Sequence, residues 1–429
     1  MKALMSLLLN PIGNPRSIWR RLSLATLAKI LGDLQASYWL IPFLCVLFAT
    51  ISASYIIAFD AAAGITGGFL PRALTDTQPS GARALLSVIA GAVIGVTGVM
   101  FSLTMVAVSF ASGQYGPRLI GNFMSDRGTQ ISLGTLIGTF VYCVLVLRAV
   151  EGTSGSVVDQ FVPHHAVAGA MLLTFISVGV TIFFIHHVPE SINVSKIIAR
   201  LGQELEAEVI HELDNRPPHM PLEGDPSATD SVALSLERSG YLQSLDVGRL
   251  QRICRREHIT VWIHASPGDY VYPAMPVLDV RGTETLREET EKAFCACFAL
   301  GNSPTLQQNP TFIVQQLAEV AIRALSAGVN DPYTAIDCLR RLEAAMEIAL
   351  VRSGGLSDAE HNPMGLRRLT FLSILDAGFG AIAPYAAPDP LARGAMIVAL
   401  ERLKAKARSV SEENAINTLI EVARSGEAA

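Results

Sequence analysis

The sequence predicts a multi-pass α-helical membrane domain with four transmembrane helices, followed by a cytosolic α+β domain that is mainly helical. Two observations lead to this fold class. Four segments near the N-terminus are each apolar over about the length that a helix needs to cross the hydrocarbon core, roughly 20 residues. The rest of the chain is acidic and alternates between short strand patterns and amphipathic helix patterns. The predicted spans are 38–59, 84–112, 131–150 and 166–186.

The spans should be helices because backbone groups in lipid must be paired within their own segment. None of the four contains an acidic residue or a lysine, and only Arg148 interrupts the third near its end. The second predicted span has 29 residues. That length exceeds a hydrocarbon core of roughly 30 Å, so this helix must tilt, kink or project from the membrane.

Charge divides the chain into two unlike halves. Residues 1–186 carry ten lysines and arginines and six acidic residues, whereas residues 187–429 carry 23 and 32, a net charge of −9. The acidic half disfavours nucleic acid as a partner, because it would repel phosphates. Basic residues before the first span, and a loop 151–165 that has none, predict that both termini are cytoplasmic. We therefore expect a multi-pass protein of the bacterial inner membrane that contacts the lipid bilayer.

The predicted organisation has five parts. Residues 1–37 are basic and suit either an interfacial amphipathic helix or an ordinary cytosolic lead into the first span. The four-helix domain covers 38–186, and a helical extension with a breaker-rich linker covers 187–230. A small α+β module, 231–282, has predicted strands at 232–237, 241–245, 259–264 and 270–280 and a helix at 246–256. A helical cytosolic domain, 283–429, has predicted helices at 284–300, 310–327, 333–353, 365–377, 390–409 and 412–424.

Small residues line one face of the second span and recur in the third. Such faces favour close helix packing, within one subunit or between subunits. The alternative is a narrow polar path at the axis of a homo-oligomer, although nothing resembles a selectivity filter or a ring of acidic residues. The candidates for a pore or for helix packing are Gly91, Gly95, Gly98, Ser102, Ser109, Ser112, Gly134 and Gly138.

No catalytic motif or metal-binding pattern stands out. The adjacent pairs His164-His165 and His186-His187 chelate one ion poorly, since neighbouring side chains on a helix point about 100° apart. They are expected to act in anchoring and capping. We expect the six cysteines to be buried, reduced thiols, with redox activity of Cys295 and Cys297 as the alternative. No cofactor and no metal is predicted.

The turn at residues 328–332 contains residue types that are typical of helix caps. Gly328 suits a helix C-cap with positive φ, Asp331 suits an N-cap, and Pro332 suits the first helical turn. These roles explain the residues without a ligand. The alternative is that exposed amides near Asn330 bind a small anion or the carboxylate of a partner.

Five blocks follow one another along the chain, at 101–107, 111–119, 239–241, 267–271 and 324–332. Together they resemble the blocks of DUF2254, a bacterial family of predicted membrane proteins. The resemblance implies four spans and a C-terminal cytosolic region, and it brings no activity, substrate or catalytic residue. Thr305 and Gln308 match a further block, whereas Pro304 and Asn309 stand where the family has arginine and aspartate, and Ala327 where it has proline. The candidate site for an unknown cytosolic ligand or protein partner is Thr305, Gln308, Gly328, Asn330 and Asp331.

Three functions are compatible with these patterns. The first is a homo-oligomeric channel or permeation protein whose cytosolic domain senses a ligand or gates. The second is a membrane-anchored scaffold or sensor without a pore. The third is a membrane-attached enzyme with Asn330 and Asp331 near its site, for which the sequence offers no recognisable machinery.

Overall fold

The architecture was taken from a computed structural model. It describes residues 39–63, 78–115, 126–150, 161–214, 231–283, 285–305, 308–309, 311–352, 356, 367 and 369–425. The predicted N-terminal segment 1–37 and residues 215–230 of the predicted linker lie outside the described residues. The chain forms two compact units, Leu34–Ile197 and Ile198–Ala429.

The first unit contains the four predicted membrane helices, and each is long and apolar enough to cross a bilayer. The fold class predicted from the sequence is thereby confirmed. The helices are longer than the apolar segments because polar and charged residues extend their ends. They are α1 (Leu40–Ala63), α2 (Pro79–Tyr115), α3 (Arg127–Ala149) and α4 (His164–Ser191).

Helix α3 is the centre of this unit. It packs most extensively on α1 and also contacts α2 and α4. The buried core includes Leu133, Leu136 and Tyr142 of α3 together with Leu86 of α2 and Phe184 of α4. Because these side chains fill the space between the helices, the interior of the bundle is a packed core.

The second unit begins with a small α+β region. Its elements, after helix α5 (Val194–Asp214), are β1 (Ser231–Ser235), β2 (Gly240–Leu245), α6 (Val247–Glu257), β3 (Thr260–Ile263), β4 (Tyr270–Val271), β5 (Pro276–Arg281), α7 (Glu288–Cys295) and β6 (Phe298–Gly301). The strands form two antiparallel sheets of three strands, in the orders β1-β5-β3 and β4-β2-β6. Their inner faces share one apolar core with Phe294 and Cys297.

β1 bonds to β5, whereas β2 bonds to β4 and β6. Two details differ from the prediction. The predicted strand 270–280 is two strands, β4 and β5, in different sheets. The predicted helix 284–300 ends at Cys295, and Phe298–Gly301 is a strand that pairs with β2. The division of the chain at residue 282 stays a prediction, although β6 lies beyond it.

The remaining elements are helical. They are α8 (Thr311–Ala324), α9 (Pro332–Val351), α10 (Phe371–Leu375), a π-helical turn (Asp376–Gly380), α11 (Ala381–Ala386), α12 (Pro390–Lys404) and α13 (Val410–Ser425). Their starts follow ordinary capping chemistry: Asp389, for example, accepts from the amides of Leu391 and Ala392. The predicted helix 365–377 begins at Phe371, after a capping box made by Thr370 and Ser373.

Candidate functional site

Helix α2 presents a face of small residues to the outside of the unit. The face repeats every eleven residues, with successive steps of four, three and four positions. All ten of its members are exposed, and nine of them are glycine, alanine or serine. The members are Ser80, Ala84, Ser87, Gly91, Gly95, Gly98, Ser102, Val106, Ser109 and Gly113. We call this set the small-residue face.

The small-residue face lies opposite the side of α2 that packs in the core. At about 100° per residue its members fall within an arc of about 100°, whereas buried Leu86, Val93 and Met100 fall about 180° away. A Cβ atom added at Gly91, Gly95, Gly98 or Gly113 would meet no other atom within 4 Å. Nothing within the described unit therefore requires glycine at these positions.

Two hydroxyl groups on this face have no hydrogen-bond partner in the described part of the chain. Among the described residues, none is hydrogen-bonded to the side chain of Ser102 or Ser109, whereas buried Thr97 and Thr104 of α2 bond to the carbonyls four residues earlier. Both serines line a shallow surface depression of about 480 Å³ together with Met105, Val106 and Phe110. The face is therefore open, grooved and locally polar.

The glycines of α3 behave differently. A Cβ at Gly134 would stand 2.9 Å from Cys45 Sγ and 3.0 Å from the Pro42 Cα, and one at Gly138 would stand 3.3 Å from the Cys45 carbonyl oxygen. Gly134 and Gly138 therefore allow α1 and α3 to approach closely within one protomer. Ser112 of α2 is half-buried at the edge of the small-residue face.

A buried carboxylate joins the end of α1 to the start of α4. Asp60 Oδ2 accepts a hydrogen bond from the Ala166 amide at 3.1 Å, and Asp60 Oδ1 lies 2.5 Å from His165 Nδ1. The Asp60 side chain is only 6% exposed. Tyr142 of α3 donates to the Ala166 carbonyl at 3.1 Å. This end of the bundle thus holds three helices together through polar groups.

A second carboxylate–imidazole pair lies at the opposite end of α4. Asp126, the N-cap of α3, accepts from the Thr129 amide and from His187 Nε2, both at 2.8 Å. Partial burial alone would raise the pKa of Asp126, but the hydrogen bonds from Thr129 and His187 outweigh it and lower the pKa. The ring of His187 stacks on Phe183 of its own helix, with centroids 4.9 Å apart.

In the second unit, Gln308 clamps the end of β2. It has a φ of 57°, accepts from the Leu245 amide at 2.9 Å and donates to the Leu245 carbonyl at 3.3 Å. Three oxygens from residues near this clamp are buried and have no hydrogen-bond partner among the described residues: Ser244 Oγ, Asp246 Oδ2 and Thr305 Oγ1. Buried polar atoms normally have hydrogen-bond partners, so these three oxygens stand out as candidate ligand contacts.

The turn before α9 satisfies its own backbone. The amides of Val329 and Asn330 both donate to the Ser326 carbonyl, and the Asp331 amide donates to the Ala324 carbonyl at 2.8 Å. Positive φ is found at Asn330, 51°, and not at Gly328, so the predicted role of Gly328 as a left-handed cap is wrong.

Asp331 is the predicted N-cap and accepts from the Thr334 amide and hydroxyl. No described hydrogen bond joins this turn to Thr305 or Gln308. A ligand site at Gly328, Asn330 and Asp331 stays a prediction.

Comparison with known proteins identifies the family of this chain. The family model described as "Predicted membrane protein (DUF2254)" matches residues 35–402. The chain belongs to the DUF2254 family. It is 28% identical over 405 residues to uncharacterised proteins of Mycobacterium bovis and Mycobacterium tuberculosis, and the match covers 91% of this chain and 76% of each relative. No solved structure matches.

The cysteines of this DUF2254 protein are all free. Cys143, Cys297 and Cys338 are buried, whereas Cys45, Cys254 and Cys295 are half-buried, so the expectation of six buried thiols is correct for three. Burial raises the pKa of Cys297 to about 12 and also raises the pKa of Cys254 and Cys295. Within the described ranges, no group of three histidine, cysteine or acidic residues could hold a metal ion.

Sequence reasoning did not find the two carboxylate–histidine pairs. Their partners are 105 and 61 positions apart in the chain. The only local signals are the two His-His dipeptides and the two aspartates close to the ends of apolar segments, Asp60 and Asp126. The dipeptides were expected to serve in anchoring and capping, and one histidine of each pair contacts a carboxylate.

Proposed function

We propose that this protein is a homo-oligomeric channel or permeation protein of the bacterial inner membrane, with both termini in the cytoplasm, and that α2 of each copy contacts its neighbours through the small-residue face. The observation that carries the proposal is the eleven-residue repeat of exposed glycine, alanine and serine opposite the packed side of α2. In lipid, helices associate where small residues let their backbones approach closely.

The face is better suited to another copy than to lipid alone. Large exposed apolar residues, Val99 and Phe110 on one side and Ile94 and Phe101 on the other, flank the glycines and serines along the helix. They would pack around the edges of a contact between helices. An eleven-residue repeat also keeps the same face towards a neighbour over many turns, with a slight right-handed supercoil.

A permeation path would lie between copies. Leu133, Leu136 and Phe184 are packed in the core of a single protomer, which favours a path between copies over one within a protomer. The free hydroxyls of Ser102 and Ser109 would supply polar groups along the shared axis. Since the small-residue face carries no ionisable side chain, the path would favour small uncharged solutes or ions without strong charge selection.

The second unit would sense a ligand. The unpartnered oxygens of Ser244, Asp246 and Thr305 near the Gln308 clamp are where a small polar molecule could bind. Their chemistry, one carboxylate and two hydroxyls, suits a hydrogen-bond donor or a hard cation. Thr305→Val would remove one of these oxygens at nearly constant volume and should weaken such binding while the fold is kept.

The test compares two glycines of similar surroundings. Gly95→Leu places a large side chain on the small-residue face, and Gly179→Leu places the same side chain on α4, where added atoms also meet nothing within 4 Å. Cross-linking in native membranes and mass determination in nanodiscs should give an oligomer for the wild type and for Gly179→Leu, and a smaller species for Gly95→Leu. A monomeric wild type, or an oligomer unaffected by Gly95→Leu, would overturn the proposed contact.

Conductance separates the channel from its alternative. The wild-type oligomer in planar bilayers or solute-loaded vesicles should pass solutes, and Ser102→Leu should reduce the flux several-fold without changing assembly. An oligomer that passes nothing under varied voltage and osmotic tension would instead support the non-conducting scaffold or sensor. The open glycines Gly91, Gly95 and Gly98 favour that second candidate, because they permit contact close enough to seal the axis.

A further inference from the structure

The fourth membrane helix is tied to its neighbours at both ends by a histidine on a carboxylate. His165 at its start contacts Asp60 of α1 at 2.5 Å, and His187 near its end contacts Asp126 of α3 at 2.8 Å. The two histidines are 22 positions apart, about 33 Å along a helix, which is about the thickness of the hydrocarbon core. Each pair therefore faces a different aqueous side of the membrane.

The first pair combines two kinds of contact on one buried carboxylate. Asp60 accepts both from the imidazole of His165 and from the Ala166 amide in the first turn of α4. Carboxylates at a helix N-terminus are stabilised by the amides that lack partners there. His165 itself is 28% exposed and has its ring against Phe59, so it can exchange a proton with water while Asp60 stays buried.

Few other charged groups surround this pair among the described residues. His164 precedes His165 on α4, and its Nδ1 is buried without a partner. Tyr142 of α3 is bonded to the Ala166 carbonyl, Arg148 of α3 is exposed, and the guanidinium of Arg83 on α2 is bonded to the Val150 carbonyl. No hydrogen bond or ion pair joins these four side chains to the side chains of Asp60 or His165.

We propose that the Asp60–His165 pair is a proton-sensing site that fastens α1 to the start of α4 when His165 is protonated. Imidazole gains a proton in the range of about pH 5 to 8. The proton adds a positive charge to the imidazole, so its hydrogen bond to the Asp60 carboxylate becomes an ion pair, and opposite charges attract more strongly in partly buried surroundings than in water. The contact is consequently tighter at mildly acidic pH and looser at alkaline pH. The inference does not depend on the proposed oligomer or pore.

The pair at the other end of α4 gives the site a counterpart on the opposite side. His187 and Asp126 are each about one-quarter exposed. Among the described residues, the other charged or titratable groups at that end are Arg127, His186, Glu190 and Lys196, and Glu190 is paired with Lys196. The same chemistry fastens the end of α4 to α3. A pH difference across the membrane would thus strengthen the carboxylate–histidine contact at one end of α4 more than the contact at the other end.

Hydrogen exchange of the full-length protein in nanodiscs tests the Asp60–His165 site. Labelling at pH 5.5 and 8.0, corrected for intrinsic exchange, should show the first turns of α4 about fivefold more protected at the lower pH, as expected for the added attraction between opposite charges. His165→Gln keeps a hydrogen-bonding side chain but no titration and should remove this difference. Asp60→Asn should lower the protection at both pH values.

His186→Gln is the matched control, because His186 is an exposed histidine on the same helix. It should respond to pH like the wild type. A wild-type protein whose corrected protection is the same at both pH values, or a His165→Gln variant that keeps the wild-type response, would overturn the proposal. The His165→Gln result decides the matter even if Asp60→Asn fails to fold.

Discussion

Gly169 of α4 leaves the space that the hydroxyl of Tyr142 on α3 occupies. A Cβ atom at position 169 would stand 2.5 Å from that oxygen, which donates to the carbonyl of Ala166. Because Gly169 has no side chain, Tyr142 can form this buried hydrogen bond. The bond joins α3 to α4 near the Asp60–His165 pair.

Gly169→Ala should destabilise the membrane unit by about 1–3 kcal/mol, because the added methyl group must displace the Tyr142 hydroxyl from its acceptor. Unfolding in a titration of sodium dodecyl sulfate against a mild detergent measures the difference. Gly179→Ala on the same helix is the control, since its methyl group meets nothing within 4 Å. Equal stability of the two variants would show that the contact between Gly169 and Tyr142 is not tight.

Gly268→Ala should destabilise the second unit more than Gly282→Ala does. Both glycines have positive φ, 103° and 90°, so both alanines pay for an unfavourable backbone conformation. Only at Gly268 would the Cβ also meet Asn309, at 2.2 Å from its Nδ2. We expect an additional loss of about 1–3 kcal/mol. Pulse proteolysis of the full chain in urea compares the two, and a larger effect at Gly282 would contradict the geometry.

Asp126 should make the membrane unit sensitive to acid. Its folded-state pKa is lowered, so it stabilises the protein above the pKa of the unfolded carboxyl, about 3.9, and this stabilisation is lost as pH falls through the lower folded value. Melting temperatures in detergent from pH 6 to pH 3 should show Asp126→Asn less stable than wild type at pH 6, with a smaller drop on acidification. Glu421→Gln, at an exposed carboxylate, should follow the wild type.

Cys297 should resist thiol reagents while the protein is folded. Because burial raises its pKa to about 12, the thiolate that reacts is scarce at pH 8. N-ethylmaleimide should modify Cys297 on the order of a thousandfold more slowly in the folded protein than in urea, as read by mass spectrometry. Rapid labelling of the folded protein would restore the alternative that Cys295 and Cys297 are redox-active.

The membrane helices could be predicted because about 20 consecutive apolar residues have few other uses. Their ends could not. α2 begins at Pro79, and its first turns include Arg83, which bonds to the carbonyl of Val150. The predicted first span ends before Asp60 because a charge breaks an apolar run, yet α1 continues past this residue and buries it. In both cases a partner far away in the sequence forms a hydrogen bond with the charged side chain and so permits it within the helix. Hydropathy cannot predict such partners.

Strand β6 was missed for a related reason. The run from Cys295 to Leu300 is apolar and short, so periodicity alone does not separate a buried strand from a helix end. Pairing with β2, more than 50 positions earlier, decides it. In the candidate sites, the small-residue faces were visible in the sequence, but only the structure separates the packed glycines Gly134 and Gly138 from the open glycines of α2.

Which helices contact each other in the bundle has a consequence for how the chain inserts into the bilayer. α1 packs chiefly on α3, and the helix made between them, α2, contacts α3 far more than α1. The spans are synthesised from the N-terminus onward, so α1 and α2 emerge from the ribosome first, although these two helices make few contacts with each other in the folded bundle. Neither α1 nor α2 can complete its packing until α3 has been synthesised. Truncation before Arg127 would therefore leave both helices without their main packing partner.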